Sequence, residues 1–255
     1  MNDRKAPAEQ IVISKPMLKK ALQLHGSGQV EAASDIYRKL LGIEQLTADS
    51  LHVLGGIAYR IKEHEAAVII LEQAIKINPE HPIYHYTLGN ARCSCGELAK
   101  AISSYETSLV LQPDLVESVI AMGDAFVKNG LFKEARLCFQ RAIRMAPFRP
   151  ESFHRLGNIY KQSGEYDRAI ACYRKAVTID GAYTPAYNNL GITLAERGRP
   201  REAVACYHKI LSIKSNWPEV YVNLGIALKE MGETDAAMES CRHALSLNPQ
   251  LSDPF

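Results

Sequence analysis

Small residues recur in this sequence with a period of 34 positions. Glycines occupy one such column at Gly55, Gly89, Gly123, Gly157, Gly191 and Gly225, and Ala21 stands one step earlier. Twelve residues after each of these positions the residue is alanine: Ala33, Ala67, Ala101, Ala135, Ala169, Ala203 and Ala237. A fixed period of this length indicates repeated supersecondary units, each of which buries its apolar face against its neighbours. The chain is therefore predicted to fold as a stack of similar units.

Within one period the apolar residues follow helical spacing twice. In the segment 150–183, Phe153, Leu156 and Tyr160 lie on one side of a predicted helix, and a second apolar pattern starts at Ala169. A glycine separates the two patterns, and the same column holds Gly28, Gly96, Gly130, Gly164, Gly198 and Gly232, with Lys62 as the exception. Each unit is thus predicted to be two helices of roughly 12–14 residues joined by a tight turn.

The small columns also predict how the helices pack. Glycine inside a helix costs about 1 kcal/mol relative to alanine, so its recurrence at one position implies that a neighbouring helix approaches closely there. A bulky column, which includes Tyr105 and Tyr173, is expected to fill the space beside it. Prolines fit this scheme, because Pro82, Pro150 and Pro218 stand where first helices would begin and Pro200 where a second helix would begin.

The combined spacing of a bulky residue, Leu-Gly, Tyr, Gly, Ala, Tyr or Phe, Ala and Pro resembles the tetratricopeptide repeat. The resemblance covers residues 14–251 and implies an all-α fold, a right-handed α-solenoid of seven tandem 34-residue helix-turn-helix repeats. The first repeat matches least well, with Lys20 and Ala21 in place of Leu-Gly, and the third has Arg92 at an apolar position. A polar N-terminal tail (1–13) and a C-terminal tail (252–255) flank the repeats. The predicted repeats span 14–47, 48–81, 82–115, 116–149, 150–183, 184–217 and 218–251.

Composition and charge exclude several partners. The 30 basic and 28 acidic residues give a net charge of +2, which argues against nucleic acid as a partner. No apolar stretch approaches the length of about 18 residues that a membrane helix needs, so no membrane insertion is expected. The run Ile11–Ile13 is too short for the apolar core of a signal peptide. A cytoplasmic location is therefore predicted.

The resemblance also implies a binding surface, because first helices line the concave groove of tetratricopeptide repeat proteins. Asparagine amides in such a groove can donate to and accept from the backbone of an extended peptide. The segments 186–191 (AYNNLG) and 220–225 (VYVNLG) resemble the repeats of O-linked GlcNAc transferase, which carry an asparagine ladder. The mixed charge of the groove suits a peptide of neutral or mixed charge. The candidate peptide-binding residues are Asn90, Asp124, Arg155, Asn158, Lys161, Asn189, Asn223 and Lys229.

No constellation of residues points to catalysis or to a metal. Cys138, Cys172 and Cys206 form a 34-residue column on second helices, which lie too far apart for disulfides, so they are predicted to be small packing residues. Cys93 and Cys95 lack the spacing of a zinc-binding pair. The motifs of hydrolases, phosphate-binding loops and zinc proteases are absent. The chain is predicted to be no enzyme and to need no cofactor and no metal.

The leading functional prediction is an interaction scaffold or adaptor that holds a peptide segment of a partner protein in its groove. One alternative is the repeat region of a glycosyltransferase-like protein that lacks its catalytic domain here. The other is a structural protein that assembles as a homo-oligomer through its terminal repeats. Sugar transfer by this chain alone would exclude the scaffold, and a monomer mass that stays constant with concentration would exclude self-assembly.

Overall fold

A computed structural model of the chain describes residues 15–42 and 45–250. Within these residues the secondary structure is entirely helical, without a strand. The chain divides into two compact units, an N-terminal unit, Met1–Gly130, and a C-terminal unit, Leu131–Phe255. The helices of the described residues are α1 (Lys15–Gly26), α2 (Val30–Leu41), α3 (Ala48–Arg60), α4 (His64–Ile77), α5 (Pro82–Ser94), α6 (Leu98–Leu111), α7 (Val116–Lys128), α8 (Phe132–Met145), α9 (Pro150–Gln162), α10 (Tyr166–Ile179), α11 (Thr184–Glu196), α12 (Pro200–Ile213), α13 (Pro218–Glu230) and α14 (Thr234–Leu247).

Each unit is a stack of helix pairs. In the N-terminal unit α1 packs on α2, α3 on α4 and α5 on α6, and in the C-terminal unit α9 packs on α10, α11 on α12 and α13 on α14. Each second helix also contacts the first helix that follows it, as α4 contacts α5 and α10 contacts α11. The predicted all-α architecture of stacked helix pairs is confirmed in both units. The limits of the individual repeats remain predictions, and the predicted tails, 1–13 and 252–255, lie outside the described residues.

The glycine column provides the close contact between the two helices of a pair. A Cβ atom added to Gly157 would lie 2.5 Å from Cε1 of Tyr173, and one added to Gly89 would lie 2.5 Å from Cε1 of Tyr105. The aromatic ring of the second helix therefore lies directly on the glycine of the first. Gly55 meets Leu71 in the same way. Because these rings are almost fully buried, a glycine at this position is required by packing, as the sequence predicted.

The turns within the pairs need a left-handed residue. Gly96, Gly164 and Gly232 have φ values of 80°, 75° and 81°, which only glycine adopts without strain. Lys62 takes the same conformation with a φ of 67° and is the only non-glycine residue with positive φ in the described part of the chain. The second glycine column is therefore a column of turn residues.

The helices depend on packing more than on capping. Thr47 and Ser50 form a capping box at the start of α3, and none of the other described N-caps is satisfied by its own side chain. Pro82, Pro150 and Pro218 are the first residues of α5, α9 and α13, where a missing N–H costs nothing. Isolated helices of this length are marginal in water, so their stability comes from the buried face that each presents to its neighbours.

First helices of neighbouring pairs contact one another. In the C-terminal unit α9 contacts α11 and α11 contacts α13, and in the N-terminal unit α3 contacts α5 and α5 contacts α7. No two second helices within a unit approach each other to the same extent in the described residues. Each unit thus has a first-helix face, on which the first helices lie side by side, and an opposite second-helix face with grooves between separated helices.

Candidate peptide-binding groove

The eight predicted site residues all lie on first helices, and they are divided between the two units. Asn90 and Asp124 belong to α5 and α7 of the N-terminal unit. The other six belong to the C-terminal unit, where α9, α11 and α13 are neighbours: Arg155, Asn158, Lys161, Asn189, Asn223 and Lys229. The C-terminal unit therefore holds most of the predicted groove.

Asn158 is the centre of a hydrogen-bond network on the first-helix face. Its Oδ1 accepts a hydrogen bond from the Tyr173 hydroxyl (2.8 Å) and a second from Nδ2 of Asn189 on the next first helix (2.8 Å). Both bonds are partly buried, and burial raises the pKa of Tyr173 well above its ordinary value, so the hydroxyl remains a donor. The network fixes the orientation of the Asn158 amide and directs its NH₂ group away from Tyr173.

His154 extends the network by one residue. Nδ2 of Asn189 lies 3.0 Å from Nε2 of His154, and the Tyr183 hydroxyl lies 3.4 Å from its Nδ1. Burial, assisted by the charge of Arg155 and opposed by that of Glu151, lowers the pKa of His154 to about 4. The imidazole is therefore neutral at neutral pH, and Nε2 can accept from the Asn189 amide.

After these internal bonds, the two amides retain one donor and one acceptor group. The NH₂ group of Asn158 and Oδ1 of Asn189 make no hydrogen bond within the described chain. Asn223 on α13 is half-buried and its side chain likewise makes none. A peptide unit offers one N–H and one C=O, so this pair of amides is complementary to an extended backbone.

Charged residues at this face are mostly paired. Nζ of Lys161 lies 2.9 Å from Oε1 of Glu196 on α11, which joins neighbouring first helices. Arg155 is half-buried beside His154, and Lys229 is exposed at the end of α13. The face therefore presents both signs of charge, in keeping with the predicted preference for a neutral or mixed peptide.

The N-terminal unit contains a shorter version of the same network. Oδ1 of Asn90 accepts from the Tyr105 hydroxyl (2.8 Å). Burial raises the pKa of that tyrosine, and the carboxylate of half-buried Asp124 adds to the effect. His52 on α3 bonds to Thr87 on α5 through Nε2 (3.0 Å). Asn90 is thus partly occupied by an internal partner, as Asn158 is.

Some residues of this network were missed in the sequence, although the spacing could have revealed them. Glu196 follows Lys161 by 35 residues and Asn189 follows His154 by 35, one period plus one residue. The buried tyrosines follow their asparagines by 15 residues, as in Asn90 with Tyr105. Neither spacing is among those from which the groove was predicted, the 34-residue period and the offset of twelve residues between glycine and alanine.

Cys138, Cys172 and Cys206 lie on second helices, as predicted. All six cysteines are free thiols, and Cys138 and Cys206 are buried while Cys172 is half-buried. Burial raises the pKa of each of these three thiols to about 11. Within the described residues, no three His, Cys, Asp or Glu side chains lie close enough together to hold a metal ion. None of the described helices is both long enough and apolar enough to cross a bilayer.

Family models of the tetratricopeptide repeat match most of the chain. The matched segments are 48–81, 116–149, 138–171, 157–198, 186–214 and 218–251. The chain belongs to the tetratricopeptide repeat family. Its repeats are those of a protein-interaction scaffold, and the family predicted from the sequence is confirmed.

Curated relatives of this tetratricopeptide repeat chain match over a limited segment. Tetratricopeptide repeat protein 17 from Homo sapiens is 35% identical over 98 residues, which is 38% of this chain and 9% of that protein. The protein from Mus musculus is also 35% identical over 98 residues. The chain thus matches less than a tenth of the length of these relatives.

Solved structures share the fold. MamA is 24% identical to this chain with a TM-score of 0.60. The match covers 64% of this chain and 95% of the MamA chain. YrrB, described as a TPR protein with an unusual peptide-binding site, is 23% identical to this chain with a TM-score of 0.59. The match covers 71% of this chain and 93% of the YrrB chain. A chain of the APC/C hetero-tetramer Cut9–Hcn1 is 16% identical with a TM-score of 0.67, and the match covers 94% of this chain and 47% of that chain.

Proposed function

We propose that this scaffold binds an extended peptide segment of a partner protein on the first-helix face of its C-terminal unit. The observation that supports the proposal is the Asn158–Asn189 pair. Its internal bonds to Tyr173 and His154 hold the two amides in place and leave one donor and one acceptor without an internal partner. Prepositioned amides bind a backbone without the cost of ordering their side chains first.

The remaining predicted residues extend this surface. Asn223 supplies a third amide on α13 without an internal bond, and Arg155 and Lys229 supply positive charge on α9 and α13. The half-buried position of the amides strengthens hydrogen bonds to a ligand relative to bonds in open water. The peptide-binding site described for YrrB and the Cut9–Hcn1 assembly support a binding role for a fold of this kind. A cytoplasmic location remains a prediction.

The test separates the binding role of each amide from its structural role. Peptides are first selected on the intact chain by display, and their dissociation constants are then measured by calorimetry. Asn158→Asp keeps the oxygen that accepts from Tyr173 but loses the NH₂ donor, and Asn223→Ala removes an amide that has no internal partner. Each variant is expected to weaken binding by about 2–10-fold, the value of one hydrogen bond.

Asn216→Ala serves as the matched control, because Asn216 is exposed between α12 and α13 in the same unit. Its affinity is expected to equal that of the unaltered chain. Circular dichroism should show the same helicity in all variants. Selection of no peptide, or equal affinities of Asn158→Asp, Asn223→Ala and the control, would contradict the proposed function.

A further inference from the structure

The third predicted repeat departs from the others on the second-helix face. Its first helix has His85 and Arg92 in two columns that are otherwise apolar from residue 48 onward. The first column otherwise contains Leu51, Val119, Phe153, Tyr187 and Tyr221, and the second contains Ala58, Phe126, Tyr160, Leu194 and Leu228. Two polar residues on the same side of α5 are therefore a specific feature of this repeat.

These two residues line a pocket of about 360 Å³ in the groove between α4 and α6. Leu88 of α5, which is buried, and Ile75 of α4 supply its apolar lining. The polar groups of the lining come from all three helices: Glu72, Lys76, His85, Arg92, Ser103, Ser104 and Thr107. Asn90 does not line the pocket, which is separate from the asparagine groove.

The Arg92 side chain is fixed in this pocket by an ion pair and a hydrogen bond. Its side chain is only 20% exposed, and its guanidinium donates to Oε1 of Glu72 (2.7 Å) and to Oγ of Ser104 (2.9 Å). Its Nε is buried and has no partner. The two terminal nitrogens of the guanidinium carry four N–H groups, and Glu72 and Ser104 use two of them, so two can donate to a ligand that supplies further acceptor atoms.

The rest of the lining increases the excess of donors. The Lys76 ammonium is exposed and pairs with no group of the described chain. His85 donates from Nε2 to the carbonyl of Pro79 (2.7 Å), and this bond holds its ring against the turn before α5. With Arg92 and Lys76 opposed by Glu72 alone, the pocket has a net positive charge. Donors in excess together with positive charge are the chemistry that binds an oxyanion.

We infer that the α4–α5–α6 pocket binds a phosphate group, with Arg92 and Lys76 as its cationic ligands and the Ser103 hydroxyl as a further donor. The phosphate belongs either to a phosphorylated side chain of a partner or to a free anion, because both present the same oxygens. The site lies in the N-terminal unit and is independent of the peptide groove proposed above.

The direct readout is the Nε–H resonance of Arg92 in nitrogen–proton correlation spectra of the full chain. Inorganic phosphate, a phosphoserine tripeptide and its unphosphorylated form are titrated separately at constant ionic strength. A saturable shift of this resonance with inorganic phosphate or with the phosphopeptide supports the site. Tighter binding of the phosphopeptide assigns it to a modified partner, and tighter binding of inorganic phosphate assigns it to the free anion. Absence of a saturable shift with both overturns the inference.

Four variants confirm the location by calorimetry with the tighter phosphate probe. Arg92→Leu restores the residue type of Leu194 and Leu228 and is expected to reduce affinity by at least about ten-fold, while Lys76→Met weakens it by several-fold. Glu72→Gln removes the competing carboxylate and is expected to tighten phosphate binding. Glu80→Gln is the control, because it makes the same change of charge at an exposed position outside the pocket and should leave phosphate binding unchanged. Undiminished binding by Arg92→Leu, or equal effects of the two glutamate variants, would overturn the site.

Discussion

At the residue scale, equivalent positions of the repeats can be equally buried and still differ in side chain and in hydrogen bonding. Ser118, Ser152 and Ala186 stand 34 residues apart and are all completely buried. The Ser118 hydroxyl is 2.8 Å from the Ser108 hydroxyl, whereas Oγ of Ser152 has no hydrogen-bond partner. Because a buried polar group without a partner costs stability, the same residue type is favourable at one position and unfavourable at the other.

Replacement of Ser152 by alanine is therefore expected to stabilise the chain. The change removes an unpaired buried hydroxyl and should raise the free energy of unfolding by about 1 kcal/mol. Ser118→Ala is the matched comparison, because it leaves Ser108 without its partner and should lower the free energy of unfolding by about 1 kcal/mol. Urea denaturation followed by circular dichroism measures both. Destabilisation by Ser152→Ala would show that its hydroxyl contributes a favourable contact.

His154 is expected to make the stability of the chain depend on pH. Its pKa is lowered to about 4 by burial, so the folded chain resists protonation at a pH where an unfolded histidine, with a pKa near 6.5, accepts a proton. Stability contributed by the neutral ring is complete above about pH 6.5 and is lost as the pH falls toward 4. The loss should approach about 2 kcal/mol after allowance for partial exposure.

The measurement is the difference in unfolding free energy between the unaltered chain and His154→Gln as a function of pH. This difference cancels the carboxylates, which titrate in both proteins. It is expected to change between pH 6.5 and 4 and to stay constant above pH 7. A difference that does not vary with pH across this range would mean that the imidazole is freely protonated in the folded chain.

At the element scale, the contact between the two helices of a pair depends on one missing side chain. Tyr173 cannot easily yield to a Cβ atom on Gly157, because its ring is buried and its hydroxyl is bonded to Asn158. Gly157→Ala is expected to lower the free energy of unfolding by about 1–3 kcal/mol. Gly181→Ala is the control, since Gly181 has open space around it and should tolerate alanine. Denaturant midpoints of the two variants provide the comparison, and equal midpoints would contradict close packing at Gly157.

Helix positions and pairings could be predicted from the sequence because the same periodicity repeats over most of the chain. Gly157, Gly164 and Pro150 each mark a separate physical requirement, a close contact, a left-handed turn and a helix start. The bonding of Asn158 could not be predicted as easily, because it depends on which side chains of α10 and α11 reach it across the stack. The asparagines were predicted to be free for a ligand, and the structure shows that part of their hydrogen-bonding capacity is used internally.

At the scale of the whole molecule, stability within each unit arises between neighbouring helices. In the C-terminal unit α9 contacts α8, α10 and α11, and it shares no comparable contact with α13 or α14. A substitution that destabilises one helix pair of such a stack therefore lowers the local stability of that pair and its neighbours more than the stability of distant pairs. Destabilisation at Gly157 is therefore expected to remain largely local.

Hydrogen exchange with mass spectrometry tests this expectation. Gly157→Ala should accelerate amide exchange in α9 and α10 and to a smaller degree in α8 and α11, with α13 and α14 close to their original rates. Gly181→Ala should leave the whole pattern unchanged. A uniform acceleration through the C-terminal unit would instead show that it unfolds as one cooperative body.

The sequence by itself determined the family, the helix pairs and the positions of the tight contacts. These features depend on residues close together in the sequence, because three-residue turns join the two helices of a pair. The 34-residue period then places the same turn, helix start and close contact at the same position of each repeat. Only the tertiary structure decided which polar groups are already paired: the Asn158 oxygen is occupied, the Asn223 amide is not, and the Arg92 guanidinium faces a pocket. These bonds join residues of different helices, and their geometry depends on side-chain orientations that periodicity does not specify.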